Sequence, residues 1–142
     1  MKVTEIMTTD VETCTPDTPI QAVATQMMTL DVGSIPVAEN GRLVGIVTDR
    51  DIVVRGIAAQ FALDTPVGQI ISSNLVTGTA DMDIEDAATL MASNQIRRLP
   101  IVEDGDRLVG IVALGDVAVK DPSDQHAGAA IEDISKPAEP NE

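Results

Sequence analysis

Four consecutive residues, Thr48-Asp49-Arg50-Asp51, have the types and spacing to do chemistry, and they stand where the apolar run Leu43 to Val47 gives way to a helix-forming stretch. A hydroxyl followed three residues later by a carboxylate has two uses. One is structural: Thr48 accepts a hydrogen bond from the first helical turn, while Asp51 reaches back to the cap backbone and complements the helix dipole. The other is recognition: a carboxylate offers two acceptor oxygens to a vicinal diol, and a Thr hydroxyl beside helix amides can meet a ribose or phosphate oxygen. The two uses are compatible. A second run, Asp106-Arg-Leu-Val-Gly-Ile-Val-Ala-Leu-Gly-Asp116, repeats the pattern, with Ala113 in the place of Thr48 and Asp116 in the place of Asp51. The adjacent pair Arg97-Arg98 stands out in a chain with 9 bases against 23 acids. Guanidinium forks suit phosphate oxygens, and the same two residues serve equally as solvated cations at the C-terminal end of a helix. Arg50 is a further cation beside Asp51.

No catalytic constellation can be assembled around these residues. There is one Cys and one His, and the chain has no Gly-x-Ser-x-Gly elbow, no phosphate loop ending in Gly-Lys-Ser/Thr and no Gly-x-Gly-x-x-Gly. Paired carboxylates carry no information in a chain so rich in acids. The expectation is a protein that is not an enzyme, needs no cofactor and holds no metal, since His126 has no Cys or carboxylate cluster at ligand spacing.

Composition narrows the partners. Phe61 is the sole aromatic residue, which removes base stacking as a means of holding single-stranded nucleic acid. The net charge of -14 is spread over the whole chain with no basic segment, so DNA and anionic membrane surfaces are repelled at long range. Such acidity suits a high-salt cytoplasm and serves equally as a solubility device. Cys14 is alone, which excludes an internal disulfide and suits a reducing compartment, where it reads as a small core residue. The opening Met1-Lys-Val-Thr-Glu-Ile-Met7 has no signal-like apolar region and no long apolar run follows, so a cytoplasmic protein is expected.

The elements that must position these residues are written twice. Val3, Ile6, Met7 and Thr8 correspond to Val67, Ile70, Ile71 and Ser72. Ile20, Val23, Ala24, Met27 and Met28 correspond to Ile84, Ala87, Ala88, Met91 and Ala92, spaced as two amphipathic helices with matching buried faces. Asp17-Thr18-Pro19 supplies a cap and an early Pro for the first helix; Asp81 and Asp83, with Glu85 and Asp86, supply acids for the start of the second. Short strands around Pro36 and Pro100 lead through turns at Asn40-Gly41 and Asp104-Gly105 into the Leu-Val-Gly-Ile-Val strands, so a β-hairpin is expected in each copy. A further apolar helical face is expected from Ile52, Val53, Ile57, Ala58 and Phe61, with its counterpart beginning at Val117. Each copy thus reads as strand, helix, strand, strand, helix, with repeat 1 over 1–64, repeat 2 over 65–120 and an acidic tail over 121–142. The tail has one short candidate helix around Ala127 to Ile134. The fold class is α/β (α+β): a unit of this size cannot bury both faces of its sheet, so the copies are expected to pair around a pseudo-twofold axis.

Together, Ile6-Met7-Thr8, the Pro36 and Pro100 strands, the paired Leu-Val-Gly-Ile-Val strands and Gly45-Ile-Val-Thr48-Asp-Arg-Asp51 resemble the CBS domains, paired as a stand-alone Bateman module over about residues 3 to 120. The resemblance implies a regulatory module that binds an adenosyl small molecule in clefts between the repeats and forms a homodimer, with a regulated protein as downstream partner. It implies AMP, ADP or ATP as candidate ligands, with S-adenosylmethionine and NADH behind them. By position, Asp51 resembles the family's ribose-binding Asp, Thr48 the hydroxyl beside it, and Arg97-Arg98 a basic pair that contacts phosphates in some relatives. Asp116 holds the matching place in the second repeat. Because the adenine side of each cleft tends to come from the other repeat's opening segment, Thr18 and Val23 would face the Asp116 cleft, and Met82 and Ala87 the Asp51 cleft. Backbone groups around Thr8 and Ser72 are further candidates, and Arg50 could supply positive charge near Asp51. The alternative to ligand binding is a nucleotide-independent dimerisation or scaffold protein in which Asp51 and Asp116 merely cap helices.

Overall fold

A computed structural model describes residues 1–71 and 75–120. Ser72, the tail over 121–142 and the candidate helix around Ala127 to Ile134 lie outside the described residues. The element order is a 3₁₀ turn at Val3–Glu5, helix α1 at Ile20–Leu30, strands β1 at Ser34–Glu39 and β2 at Arg42–Thr48, and the single turn α2 at Asp49–Asp51, which runs into a π-helix at Ile52–Ile57. The second half repeats it: a 3₁₀ turn at Val67–Gln69, β3 at Gly78–Thr79, α3 at Ile84–Asn94, β4 at Arg98–Glu103, β5 at Arg107–Ala113 and α4 at Leu114–Lys120. The opening strand expected of the first copy is reduced to one bridge, Cys14 with Val37.

The chain divides into two compact units whose boundaries differ from those of the repeats. One unit takes Met1–Val11, Val76–Glu103 and the stretch from Val109 onward; the other takes Glu12–Leu75 and Asp104–Leu108. The opening turn of each repeat therefore belongs to the unit built mainly from the other repeat.

In the unit that holds the first hairpin, β1 and β2 pair antiparallel from Ser34↔Thr48 to Glu39↔Arg42, with a register shift between Val37 and Ala38. Asn40 and Gly41 both have positive φ, 54° and 80°, the conformation a two-residue hairpin loop requires for its twist to match the strands. Arg42 also pairs with Arg107, the first residue of β5. The core of this unit gathers Cys14, Ile20, Val23, Met27, Ile35, Val37, Val47 and Ile52, closed by Val67 and Ile70 from the second 3₁₀ turn. The face of α1 is narrower than its periodicity predicts: Ile20, Val23 and Met27 are buried, while Ala24 and Met28 are exposed. The helix has Pro19 at its N-cap position, which has no side-chain acceptor to cap with, and the Thr18 hydroxyl accepts the Thr15 N–H at 3.0 Å instead.

The apolar face expected of residues 52 to 61 is redistributed. Ile52 is buried, but Val53, Ile57 and Phe61 are exposed, together with Val54 and Leu63. The N–H groups of Ala58 and Phe61 donate to the carbonyls of Val53 and Gly56, five residues back. Such a wide turn advances residues by more than the α-helical period, so side chains spaced for one α-helical face no longer share it.

In the other unit β3 and β4 pair parallel, Gly78↔Ile101 and Thr79↔Val102, and β4 neighbours β5. Its core holds Ile84, Ala87, Ala88, Met91, Leu99, Ile101, Val112, Leu114 and Val117, closed by Val3 and Ile6 from the first 3₁₀ turn. Here α3 buries Ile84, Ala87, Ala88 and Met91 of the face its spacing predicts, while Ala92 is half-buried. Asp83 is its N-cap position but makes no side-chain cap; it pairs instead with Lys2 at 3.1 Å. The backbone of Thr8 bridges Ile111 of β5 through two hydrogen bonds of 2.8 and 2.9 Å. That approach requires Gly110, since a Cβ there would lie 2.9 Å from the Thr8 carbonyl oxygen and 2.6 Å from the Met7 sulfur.

Two outcomes follow. Gly110→Ala should lower stability by about 1–3 kcal/mol in urea unfolding, because backbone blocks the added methyl. Gly45→Ala should cost less, because its nearest neighbour is the Ile71 Cδ1, the movable end of a side chain. The second outcome concerns Cys14, whose burial pushes its thiol from 9.0 up to about 11. The folded chain holds that proton more tightly than the unfolded chain, so its stability is intact below pH 9 and falls as pH rises from 9 towards 11. Iodoacetamide at pH 8 should leave Cys14 unmodified in the folded protein and alkylate it after unfolding.

Candidate functional site

Strand β2 ends at Thr48 with an extended backbone, and the chain turns directly into α2. The Thr48 hydroxyl oxygen accepts the Asp51 N–H at 3.0 Å, and Asp51 Oδ2 accepts the Thr48 N–H at 3.0 Å, a complete reciprocal capping box. Both side chains keep chemistry in reserve. The Thr48 O–H still has a proton to donate, and Asp51 Oδ1 lies 4.0 Å from Arg55 Nε, at ion-pair distance only. The Asp51 side chain is 19% exposed, shielded enough to order a ligand hydroxyl and open enough to receive one. Arg50 is exposed on the same turn, and its N–H donates to Asp49 Oδ1 at 2.8 Å. The turn is tied to the segment before β1 by the Asp49 N–H, which donates to the Gly33 carbonyl at 2.9 Å.

The second corner copies the backbone and changes the side chains. Strand β5 ends at Ala113, which has no hydroxyl to cap or to donate, and Asp116 is half-buried in the first turn of α4. The Leu114 N–H donates to the Arg97 carbonyl at 2.8 Å, the counterpart of the bond between Asp49 and Gly33. This bond sets the backbone of the exposed Arg97, which Arg98 follows at the head of β4, against the start of the helix that carries Asp116. Thus Thr48, Asp51 and Arg50 share one corner, and Asp116, Arg97 and Arg98 share the other.

The remaining candidates are distributed between the units. Thr18 is half-buried in the unit of Thr48 and Asp51, its hydroxyl bonded within the turn to Thr15. Val23 is fully enclosed in the core of that unit, and Ala87 is fully enclosed in the core of the unit that carries Asp116. Their side chains offer no surface of their own. Met82 is half-buried against the core that contains Ala87, and its carbonyl accepts the Val3 N–H at 3.0 Å. Thr8 is exposed, with its backbone committed to Ile111 of β5, in the unit of Asp116. Asp49 stands in the stretch the sequence highlights but was given no role of its own, yet its carboxylate lies over Gly33: a Cβ on that glycine would sit 3.2 Å from Asp49 Oδ2. Its repeat counterpart Leu114 could have drawn attention to it, since an acid in one copy answers an apolar residue in the other.

No group of His, Cys, Asp and Glu able to hold a metal ion occurs among the described residues, and no helix among them is long and apolar enough to cross a membrane. The CBS domain profile matches residues 3–56 and 67–121. A CBS domain-containing protein of Bacillus subtilis, YhcV, is 50% identical over 133 residues, which span 94% of each chain. Among solved structures, CBSX2 in complex with AMP matches with a TM-score of 0.74 at 25% identity, over 83% of this chain and 93% of its own. The CBS domain pair of protein MJ0100, in complex with 5′-methylthioadenosine and S-adenosyl-L-methionine, matches with a TM-score of 0.73 at 27% identity, over 84% and 94%. The chain belongs to the CBS-domain family and carries two such domains in tandem.

Proposed function

We propose that this protein is a non-catalytic regulatory module of the cytoplasm that binds an adenosyl ligand at its strand-to-helix corners, with AMP, ADP or ATP ahead of S-adenosylmethionine or NADH. The observation that carries this reading is the Thr48–Asp51 corner. After the capping box is complete, one hydroxyl proton and one carboxylate oxygen remain at a half-buried turn, the pair a ribose diol needs as acceptor and donor. The adenosyl compounds bound by CBSX2 and by the MJ0100 pair support the same class of ligand. Binding acts as a signal only if one arrangement of the protein holds the ligand better than another, and a partner protein then reads the favoured arrangement.

The favoured arrangement in this reading is a homodimer. Val53, Val54, Ile57, Phe61 and Leu63 are each more than 40% exposed along and just beyond the π-helix. Apolar side chains grouped in this way mark a surface that a partner covers. The buried, unpaired thiol of Cys14 supports the cytoplasmic setting.

One observation favours a second reading, a nucleotide-independent dimerisation protein. The capping box at Thr48 and Asp51 is complete in itself and would be retained for the helix start alone.

A thermal-shift screen of protein freed of co-purified ligand separates the two. A ligand at 100 times its Kd should stabilise the chain by about 2.7 kcal/mol. At least one of AMP, ADP, ATP, S-adenosylmethionine and NADH should raise Tm, and Asp51→Asn or Asp116→Asn should abolish the rise while leaving the ligand-free Tm nearly unchanged. A flat response across all five ligands would leave the dimerisation reading. Separately, Ile57→Glu should convert the dimer to a monomer in sedimentation velocity; an unchanged dimer would place the interface elsewhere.

A further inference from the structure

The two corners share one backbone plan and differ in charge at one place. In the second corner the Leu114 N–H bonds to the carbonyl of Arg97, so a guanidinium side chain leaves the backbone beside an apolar residue. In the first, the Asp49 N–H bonds to the carbonyl of Gly33, and the Asp49 carboxylate fills the ground from which an arginine would project, 3.2 Å from where a Cβ on Gly33 would stand. The difference does not stop there. The second corner has Arg97 bonded through its carbonyl to the start of the helix that carries Asp116, with Arg98 next in the chain, whereas the first has Asp49 and Asp51 flanking Arg50, with Arg55 one turn on. Asp49 Oδ1 accepts the backbone N–H of Arg50, which holds the carboxylate in place over the turn.

We propose that Asp49 is a charge-selecting residue: it closes the Thr48–Asp51 corner to phosphorylated ligands and reserves it for an adenosine-type compound without a 5′-phosphate, while the Asp116 corner with Arg97 and Arg98 takes the phosphorylated one. This rests on the adenosyl-binding reading above. A phosphate set down at the first corner would meet a fixed carboxylate with no arginine at position 33 to offset it. The same phosphate at the second corner finds two guanidinium donors and no acid at position 114. One chain would thereby read two chemically different adenosyl compounds at once, and their balance would be registered within a single protein.

The test is isothermal titration of the full chain, freed of ligand, with AMP and with adenosine as probes. Adenosine binding should weaken at least tenfold in Asp51→Asn and be unchanged in Asp116→Asn. AMP binding should show the reverse pattern and should also weaken in Arg97→Ala. Asp49→Asn removes the charge while keeping an acceptor for the Arg50 N–H. It should admit AMP to the first corner, seen as a second AMP equivalent or an affinity gain there of about tenfold that shrinks at high salt. Asp49→Leu, which copies the second repeat, should do the same. The proposal is overturned if AMP and adenosine both depend on the same Asp, or if neither Asp49 variant, folded by circular dichroism, alters AMP binding. If neither probe nor any other adenosyl ligand binds, the adenosyl-binding reading falls and this one with it; if both probes bind through one corner, only the charge selection falls.

Discussion

Neither compact unit can close its core with its own repeat, because a 3₁₀ turn from the other repeat supplies the last apolar side chains. Val3 and Ile6 are 0% and 3% exposed among Ile84, Met91 and Leu99, and Val67 and Ile70 are 0% and 2% exposed among Ile20, Val23 and Ile52. Burying an aliphatic side chain of this size is worth about 1.5–3 kcal/mol, so each turn contributes roughly 3–6 kcal/mol. The net stability of a small domain is of the same order, about 5–15 kcal/mol. A single repeat would therefore expose its opening turn and leave a hole in its core. Duplication is a condition of folding here before it is a means of placing two strand-to-helix corners.

The same turn that closes a core also fixes a corner. After Val3 and Ile6 enter the core, the chain reaches Thr8, whose backbone is hydrogen-bonded on both sides to Ile111. Strand β5 continues two residues from that bridge to Ala113, and the turn into α4 presents Asp116. Gly110 makes the approach possible by having no side chain. At the other end of each corner, one backbone hydrogen bond ties the helix start to the segment before the hairpin: Asp49 to Gly33, Leu114 to Arg97. These bonds are blind to side chains, which is why the two corners can keep one geometry while their chemistry diverges through Thr48 and Ala113, Asp49 and Leu114, Gly33 and Arg97.

The Thr48–Asp51 corner is continuous with the exposed apolar face. Asp51 ends α2 and Ile52 begins the π-helix, so the carboxylate proposed to hold a ribose and the side chains of Val53, Val54 and Ile57 belong to one unbroken helical segment. π-helical turns are rare and are frequently found at functional sites. In the proposed reading, a small rotation of that segment at the corner would move the apolar face with it.

The sequence by itself determined the duplication, both hairpins, the buried face of α3 and the capping residues Thr48 and Asp51, because each is a matter of local spacing and residue type. An Asn-Gly turn, a period of 3.6 and a hydroxyl three residues before a carboxylate are all visible in a single stretch of chain. Only the tertiary structure decided that Val3 and Ile6 complete the core of the second repeat, since an exchange between distant segments leaves no local mark. Likewise it took the π-helix to expose Val53, Ile57 and Phe61, whose spacing reads as a buried face only if the turn is α-helical. It also placed Val23 and Ala87, both 0% exposed, inside the two cores. Asp49 is the sharpest case: beside Asp51 it is one more acid in a chain with 23, and its position over Gly33 exists only once β1 and β2 have paired and the backbone bond between them has formed.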